Sequence, residues 1–229
     1  MKKSTKKIDE HGDYCPFAGI TVIAGVLEGD SPLWLRVNDI IAGSELIRRY
    51  FSALPYESYH MTTTDLFTEP FDGGDDWEAF VHNKMPFFQA LHAKLEEKQI
   101  TPTIKIEHIH LSSVIQLVLS IPEEQRRQTH EIATEFGIQD KVPRTFHMTL
   151  AYQYQPLPPD DAKVIQQHIQ HYIQHRLNHL LKEHPHDIHL KSPALSTFND
   201  MASFHTWNGE EYPFDTSYPE HEASPPKNN

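Results

Sequence analysis

Two short stretches of this chain share a pattern that can move protons. Tyr59-His60-Met61-Thr62 and Phe146-His147-Met148-Thr149 both read aromatic, histidine, methionine, threonine. An imidazole titrating near neutral pH can take a proton from an attacking oxygen, and a second can give one to a leaving oxygen. Each such transfer contributes on the order of 10²–10⁴-fold. A threonine two residues on sets its hydroxyl beside the ring, where it can bond a nonbridging phosphate oxygen as charge develops. Two facing copies could grip one phosphodiester from both sides, with no call for a metal or other cofactor. The bare pattern is weak on its own. Seventeen histidines among 28 serines and threonines give about two His-x-Ser/Thr matches by chance, and the chain has three, His110-Leu111-Ser112 being the third. The shared flanks and the strand-like setting separate the first two from coincidence.

On a strand, side chains alternate between faces. His60, Thr62 and Thr64 then share one face, with Tyr59, Met61 and Thr63 opposite. His147, Thr149 and Ala151 share another, with Phe146, Met148, Leu150 and Tyr152 opposite. The second apolar face must be core, so the His/Thr face points to solvent or a cleft. By the same parity Tyr59, Phe146 and Tyr152 are packing residues rather than base-stacking platforms, and Tyr56 in the approach loop is freer.

The elements that must carry these strands come in two similar passes. In the first, Phe17–Leu27 reads as a buried strand, Leu33–Arg36 as a short partner strand, and a helix capped by Asn38 or Asp39 presents Ile40, Ile41, Leu46, Ile47, Tyr50 and Phe51. Pro55 ends it. The strand Tyr59–Phe67 and a helix from Trp77 to about Gln99 follow. In the second pass, Thr103–His110 and Val114–Ile121 suggest a hairpin. Pro122 opens a helix to Phe136 that Gly137 stops. The strand Phe146–Tyr154 and a long helix ending near Lys182 complete it. Segments near 186–191 and 197–207 could add edge strands. The histidine strands lie about 87 residues apart, so the pattern predicts an α+β chain with two pseudo-symmetric lobes of antiparallel sheet and flanking helices around a central cleft. Residues 1–13 read as a flexible N-terminus, 14–208 as the bilobal body and 209–229 as an acidic, proline-containing tail.

The Arg144-Thr145-Phe146-His147-Met148-Thr149-Leu150-Ala151-Tyr152 stretch, paired with Ser58-Tyr59-His60-Met61-Thr62, resembles the 2H phosphoesterase superfamily of cyclic phosphodiesterases and RNA-ligase-like phosphoesterases. The likeness extends over about residues 14–207, and the overall length and the Ser58–Thr62 element resemble a bacterial branch whose biological role is poorly defined. It implies a bilobal fold and metal-independent cleavage of a 2′,3′-cyclic phosphate or related small nucleotide or RNA-end phosphodiester. On it His60 and His147 are the acid/base pair, in either order, and Thr62 and Thr149 the phosphate ligands.

Other residues compete for attention. Lys105, Lys141 and Arg144 could each supply a phosphate-binding cation, though each also suits an ordinary surface. His168, His171, His175 and His179 recur along the long helix, opposite Ile165, Ile169, Ile173 and Leu180. Glu107-His108-Ile109-His110 and His184-Pro185-His186 add imidazoles, so a histidine-rich metal-binding protein is one alternative. The spacing lacks His-Glu-x-x-His, and a solvated polar face explains the stripe more simply. A nucleotide-binding module with little turnover is the other alternative. No P-loop, dinucleotide fingerprint or Gly-x-Ser-x-Gly elbow occurs.

A formal charge of −12 argues against binding long DNA or RNA, since phosphate backbones are repelled. The single cysteine, Cys15, cannot close an internal disulfide and fits a reducing compartment. The basic start lacks the apolar run of a signal peptide, and Ile20–Leu27 is too short to span a bilayer. The expectation is therefore a cytoplasmic enzyme acting on a small nucleotide or RNA end, without a membrane partner. Its oligomeric state is left open.

Overall fold

A computed structural model describes residues 4–184 and 186–214. The order is β1 (Gly19–Gly25), α1 (Ser31–Ala42), α2 (Glu45–Arg48), β2 (Phe51–Ala53), β3 (His60–Thr68), α3 (Glu69–Asp72), α4 (Trp77–Lys98), β4 (Thr103–Leu111) and β5 (Val114–Ser120). Then come α5 (Glu123–Glu135), β6 (Phe146–Gln153), α6 (Ala162–Glu183), β7 (Ile188–His189), β8 (Ala194–Phe198) and β9 (His205–Thr206). The strands form two sheets, ordered β3-β1-β8-β9 and β2-β6-β5-β4-β7, with every pairing antiparallel. The fold is α+β.

The β-branched run of β1 takes the centre of its sheet, buried at six of seven positions because β3 and β8 flank it and side chains cover both faces. In the second sheet β5 holds the equivalent place between β6 and β4. The histidine strands β3 and β6 pack against one another, joining the sheets. One continuous hydrophobic core runs beneath both, with Trp34, Tyr59, Phe51, Phe88 and Phe146 its largest fully buried side chains. Helix α4 lies on β8, while α6 lies on β4 and α1. No helix among the described residues is long and apolar enough to cross a membrane.

Two local readings of the sequence are corrected. Leu33–Arg36 is not a strand: it is the start of α1, which begins eight residues before Asp39. Pro32 sits in its first turn, and Leu33, Trp34, Val37 and Ile41 are buried at helical spacing. The apolar pattern past residue 42 belongs to a separate short helix, whose cap is Ser44 accepting from the Ile47 N–H at 3.4 Å, and Phe51 already lies in β2. Segment 197–207 does add an edge strand, β9, which pairs with the inner strand β8. Gly137 stops α5 with a φ of 67°, as its position suggests.

Both ends are folded further than their composition implies. Residues 4–13, expected to be loose, form a turn in which Ile8 bridges Tyr14. Residues 209–214, assigned to the tail, pack on α4: the Trp207 indole donates to the Glu211 carbonyl at 2.7 Å, and Tyr212 stacks on His82 with centroids 4.6 Å apart. Residues 215–229 of that tail lie outside the described residues.

Candidate active site

Where β3 meets β6, a cleft of about 350 Å³ is lined by His60 and Thr62 from one strand and His147 and Thr149 from the other. All four are half-buried, while Tyr59, Met61, Phe146, Met148 and Leu150 are in the core. Strand alternation therefore places the two His-x-Thr pairs where the sequence suggests. It then fails at the same point in both strands. Opposite β3, Ile23 pairs with Thr62 but Val22 pairs with Thr64, so Thr63 is an extra residue. Opposite β6, Gln116 pairs with Thr149 but Ile115 pairs with Ala151, so Leu150 is extra. Such a bulge reverses the facing of the residues that follow it, on β3 as far as a second irregularity before Phe67. Thr64 turns away and is buried, and Ala151 likewise, while Asp65 and Tyr152 line the cleft. Tyr152 thus lines the cleft while still packing against the core, and each histidine gains a polar companion five positions on.

The surroundings give the groups distinct characters. His60 Nδ1 lies 2.7 Å from the Ser58 carbonyl oxygen. A carbonyl can only accept, so Nδ1 carries the proton and the neutral ring keeps Nε2 as an acceptor. Ser58 is fixed in turn by its hydroxyl, which donates to the Pro55 carbonyl at 2.7 Å. The Phe204 ring covers His60 with centroids 4.2 Å apart. Burial pulls the His60 pKa down to about 4, and the positive charges of His147 and Lys7 push the same way, against the Ser58 bond.

On the facing strand, the Gln116 amide donates to Thr149 Oγ1 at 3.2 Å and occupies one lone pair, leaving the hydroxyl proton for another acceptor. The Tyr152 phenol is raised to about 12 by burial, offset by its bond with Thr149, so it stays protonated. Burial also raises the Asp65 carboxyl, with His147, Lys7 and Lys141 opposing.

The remaining candidates divide cleanly. Lys141 lines the cleft. Lys105 sits on β4 beside Glu107 at 3.4 Å, lining a different cavity, and the exposed Arg144 is engaged through its carbonyl by Arg126. Tyr56 is not a lining residue, and Tyr59 is buried with its hydroxyl accepting from Asn38 at 3.0 Å. Among the described residues no group of three or more His, Cys, Asp or Glu is placed to hold a metal ion. The helix histidines find local partners instead, His168 the Val164 carbonyl and His179 the Glu183 carboxylate at 3.3 Å. Sequence reasoning missed Lys7, Asp65, Gln116 and Phe204. Only Asp65 left a usable trace, since it and Tyr152 each stand five residues after a matched histidine.

Comparison with known proteins agrees with this architecture. Residues 7–119 match the 2H-phosphodiesterase family model, described as a domain of unknown function (DUF1868). An uncharacterised protein, 127L, of Invertebrate iridescent virus 6 is 23% identical over 172 residues, covering 66% of this chain and 73% of that one. A conserved protein of unknown function from Agrobacterium tumefaciens superposes with a TM-score of 0.62 at 17% identity, over 89% of this chain and 90% of its own. Usb1 of Kluyveromyces marxianus, solved with uridine monophosphate, gives 0.51 at 13% identity, over 87% and 98%. At these identities the structural likeness is one of fold. The family match over residues 7–119 and this shared fold support the 2H phosphoesterase superfamily.

Proposed function

We propose that the cleft hydrolyses a small nucleotide or RNA-end phosphodiester, a 2′,3′-cyclic phosphate being the form that suits two opposed acid/base groups. One observation carries this reading: two His-x-Thr pairs line one cleft, and the Nδ1 of one histidine is engaged by a backbone carbonyl, which leaves its Nε2 as an acceptor. A water oxygen attacks phosphorus while His60 Nε2 takes its proton. The bond from phosphorus to one ring oxygen breaks, and the protonated His147 gives that oxygen its proton. The product is a phosphate monoester with a free hydroxyl, and the two histidines have exchanged protonation states, which solvent restores. Thr62 and Thr149 donate to the nonbridging oxygens as their charge grows.

The roles follow from the surroundings. His60 is held neutral and serves as base, which leaves the acid role to His147, facing the Asp65 carboxylate. The fold shared with Usb1, a protein solved with a nucleoside monophosphate, supports a nucleotide-sized ligand. Purified protein with EDTA would be incubated with 2′,3′-cyclic nucleotides, 3′,5′-cyclic nucleotides and short oligonucleotides. Turnover of a 2′,3′-cyclic substrate that vanishes in His60→Ala and in His147→Ala is expected. Full activity in either variant ends the reading.

A further inference from the structure

The N-terminal strap brings a cation into the cleft that neither His-x-Thr strand supplies. The Lys7 carbonyl accepts from the Cys15 N–H at 3.1 Å. Ser52 Oγ donates to the Gly12 carbonyl at 2.9 Å, and Gln155 Nε2 donates to the Glu10 carbonyl at 2.6 Å. Residues 7–15 are thereby tied to β2 and to the end of β6. From this anchored backbone the Lys7 side chain enters the cleft beside His60, Thr62, His147 and Thr149.

Its ammonium rests on aromatic rings. Nζ lies 5.2 Å from the centre of Phe17 and 5.6 Å from that of Tyr152. Among the described residues no carboxylate comes within 4.0 Å of it, and Asp65 acts on it only from farther off. Lys141, over Phe67 at 5.6 Å, is the other lysine of the cleft and is likewise without an ion pair among the described residues. The chain has 32 acids against 20 Lys and Arg, so a carboxylate partner was available in composition. A half-buried ammonium held by ring faces alone retains unused donors, and a phosphate oxygen is a stronger acceptor than an aromatic ring.

We propose that Lys7 binds the phosphoryl oxygens of the scissile phosphodiester, so that the N-terminal strap completes the active site. This rests on the phosphodiesterase reading of the cleft. Lys7 neutralises charge on the group that Thr62 and Thr149 also hold. Lys141 lines the same cleft from the turn before β6 and is the neighbouring charge.

The titratable groups facing Lys7 are His60 and Asp65 on β3, His147 and Tyr152 on β6, Asp72 at the end of α3 and Lys141 from the turn before β6. Burial lowers the Lys7 amine, and Asp65 opposes this. A lysine is charged only below its pKa, so the site loses this charge, and substrate affinity with it, at a lower pH than the ordinary value of about 10.4.

The test compares wild type with Lys7→Met and Lys7→Arg on a 2′,3′-cyclic nucleotide. Met preserves the aliphatic packing, so its thermal midpoint should stay at or above that of wild type. Its kcat/KM should fall about 10- to 100-fold, the loss of a charged hydrogen bond. Arg should recover most of this and remove the alkaline decline in kcat/KM, since arginine does not titrate there. A kcat/KM within twofold of wild type for Lys7→Met overturns the proposal, as does a loss that Arg fails to rescue. Absence of turnover in wild type would defeat the phosphodiesterase reading by itself. Calorimetry with uridine monophosphate then decides the site: binding weakened about 10- to 100-fold in Lys7→Met sustains it, while equal or absent binding in both proteins refutes it.

Discussion

His60 Nδ1 and the Ser58 carbonyl oxygen lie 2.7 Å apart, two residues from one another on the approach to β3. This contact fixes the tautomer of the base without help from an acidic side chain. With burial dominating, the ring stays neutral until about pH 4. The acid limb of kcat/KM is therefore expected near pH 4 to 5 rather than near the ordinary histidine value of about 6.5. The sign for stability follows. The unfolded ring gains its proton near 6.5 and the folded ring only near 4, so stability drains as pH falls through that interval. Nitrogen-15 NMR should show the proton on Nδ1. An Nε2–H tautomer, or an acid limb at 6.5, would contradict the assignment.

Phe204 sets part of that shift. Its ring, 4.2 Å from His60 and 4.9 Å from Phe198, keeps water from the imidazole. In Phe204→Ala the ring becomes better hydrated, so the charged form is penalised less and the His60 pKa must rise. The acid limb should move up toward neutrality. NMR titration of the imidazole carbons checks this directly, and an unmoved midpoint would show that other groups cause the burial.

Gln116 is a positioning residue for Thr149. Its amide reaches Thr149 Oγ1 from the neighbouring strand β5 at 3.2 Å. Without it the hydroxyl is held by Tyr152 alone and spends less time aimed at phosphate. Gln116→Leu should lower kcat/KM about 2- to 10-fold, in line with one neutral hydrogen bond. The loss should appear mainly in kcat, because the threonine bond strengthens as charge develops. A normal kcat with a raised KM would instead mean that Gln116 touches substrate.

How much of this was written in the sequence depends on where regular alternation holds. The period-2 pattern from Tyr59 to Thr62 and from Phe146 to Thr149 gives the right facing for both histidines and both threonines, because core burial on one face fixes register. Beyond Thr62 and Thr149 the pattern misleads. A bulge adds one residue without changing composition, so Asp65 and Tyr152 are assigned to the wrong face by counting. Leu33–Arg36 is too short for periodicity to separate strand from helix, and only the buried set Leu33, Trp34, Val37 and Ile41 resolves it. Lys7 was out of reach for another reason. It sits in a charged, low-hydropathy segment, and its placement depends on backbone bonds to Cys15, Ser52 and Gln155 that no local pattern encodes.

Gly19 links the central strand to the aromatic wall of the cleft. It pairs with Phe198 across β1 and β8 and with Thr68 across β1 and β3. A β-carbon at this position would strike the Phe198 ring, entering the ring tip and both neighbouring carbons. Phe198 is 5% exposed and cannot swing outward without opening the core. Gly19→Ala must therefore displace it, and overpacking of this kind costs typically about 1–3 kcal/mol. Urea denaturation should show a lower midpoint with an unchanged slope, since the surface exposed on unfolding stays the same. The displacement also reaches the site, because Phe198 contacts Phe204 and Phe204 covers His60. The same variant should thus shift the acid limb in the direction of Phe204→Ala, by a smaller amount. Destabilisation without that shift would mean that Phe198 moves away from Phe204 rather than carrying it along.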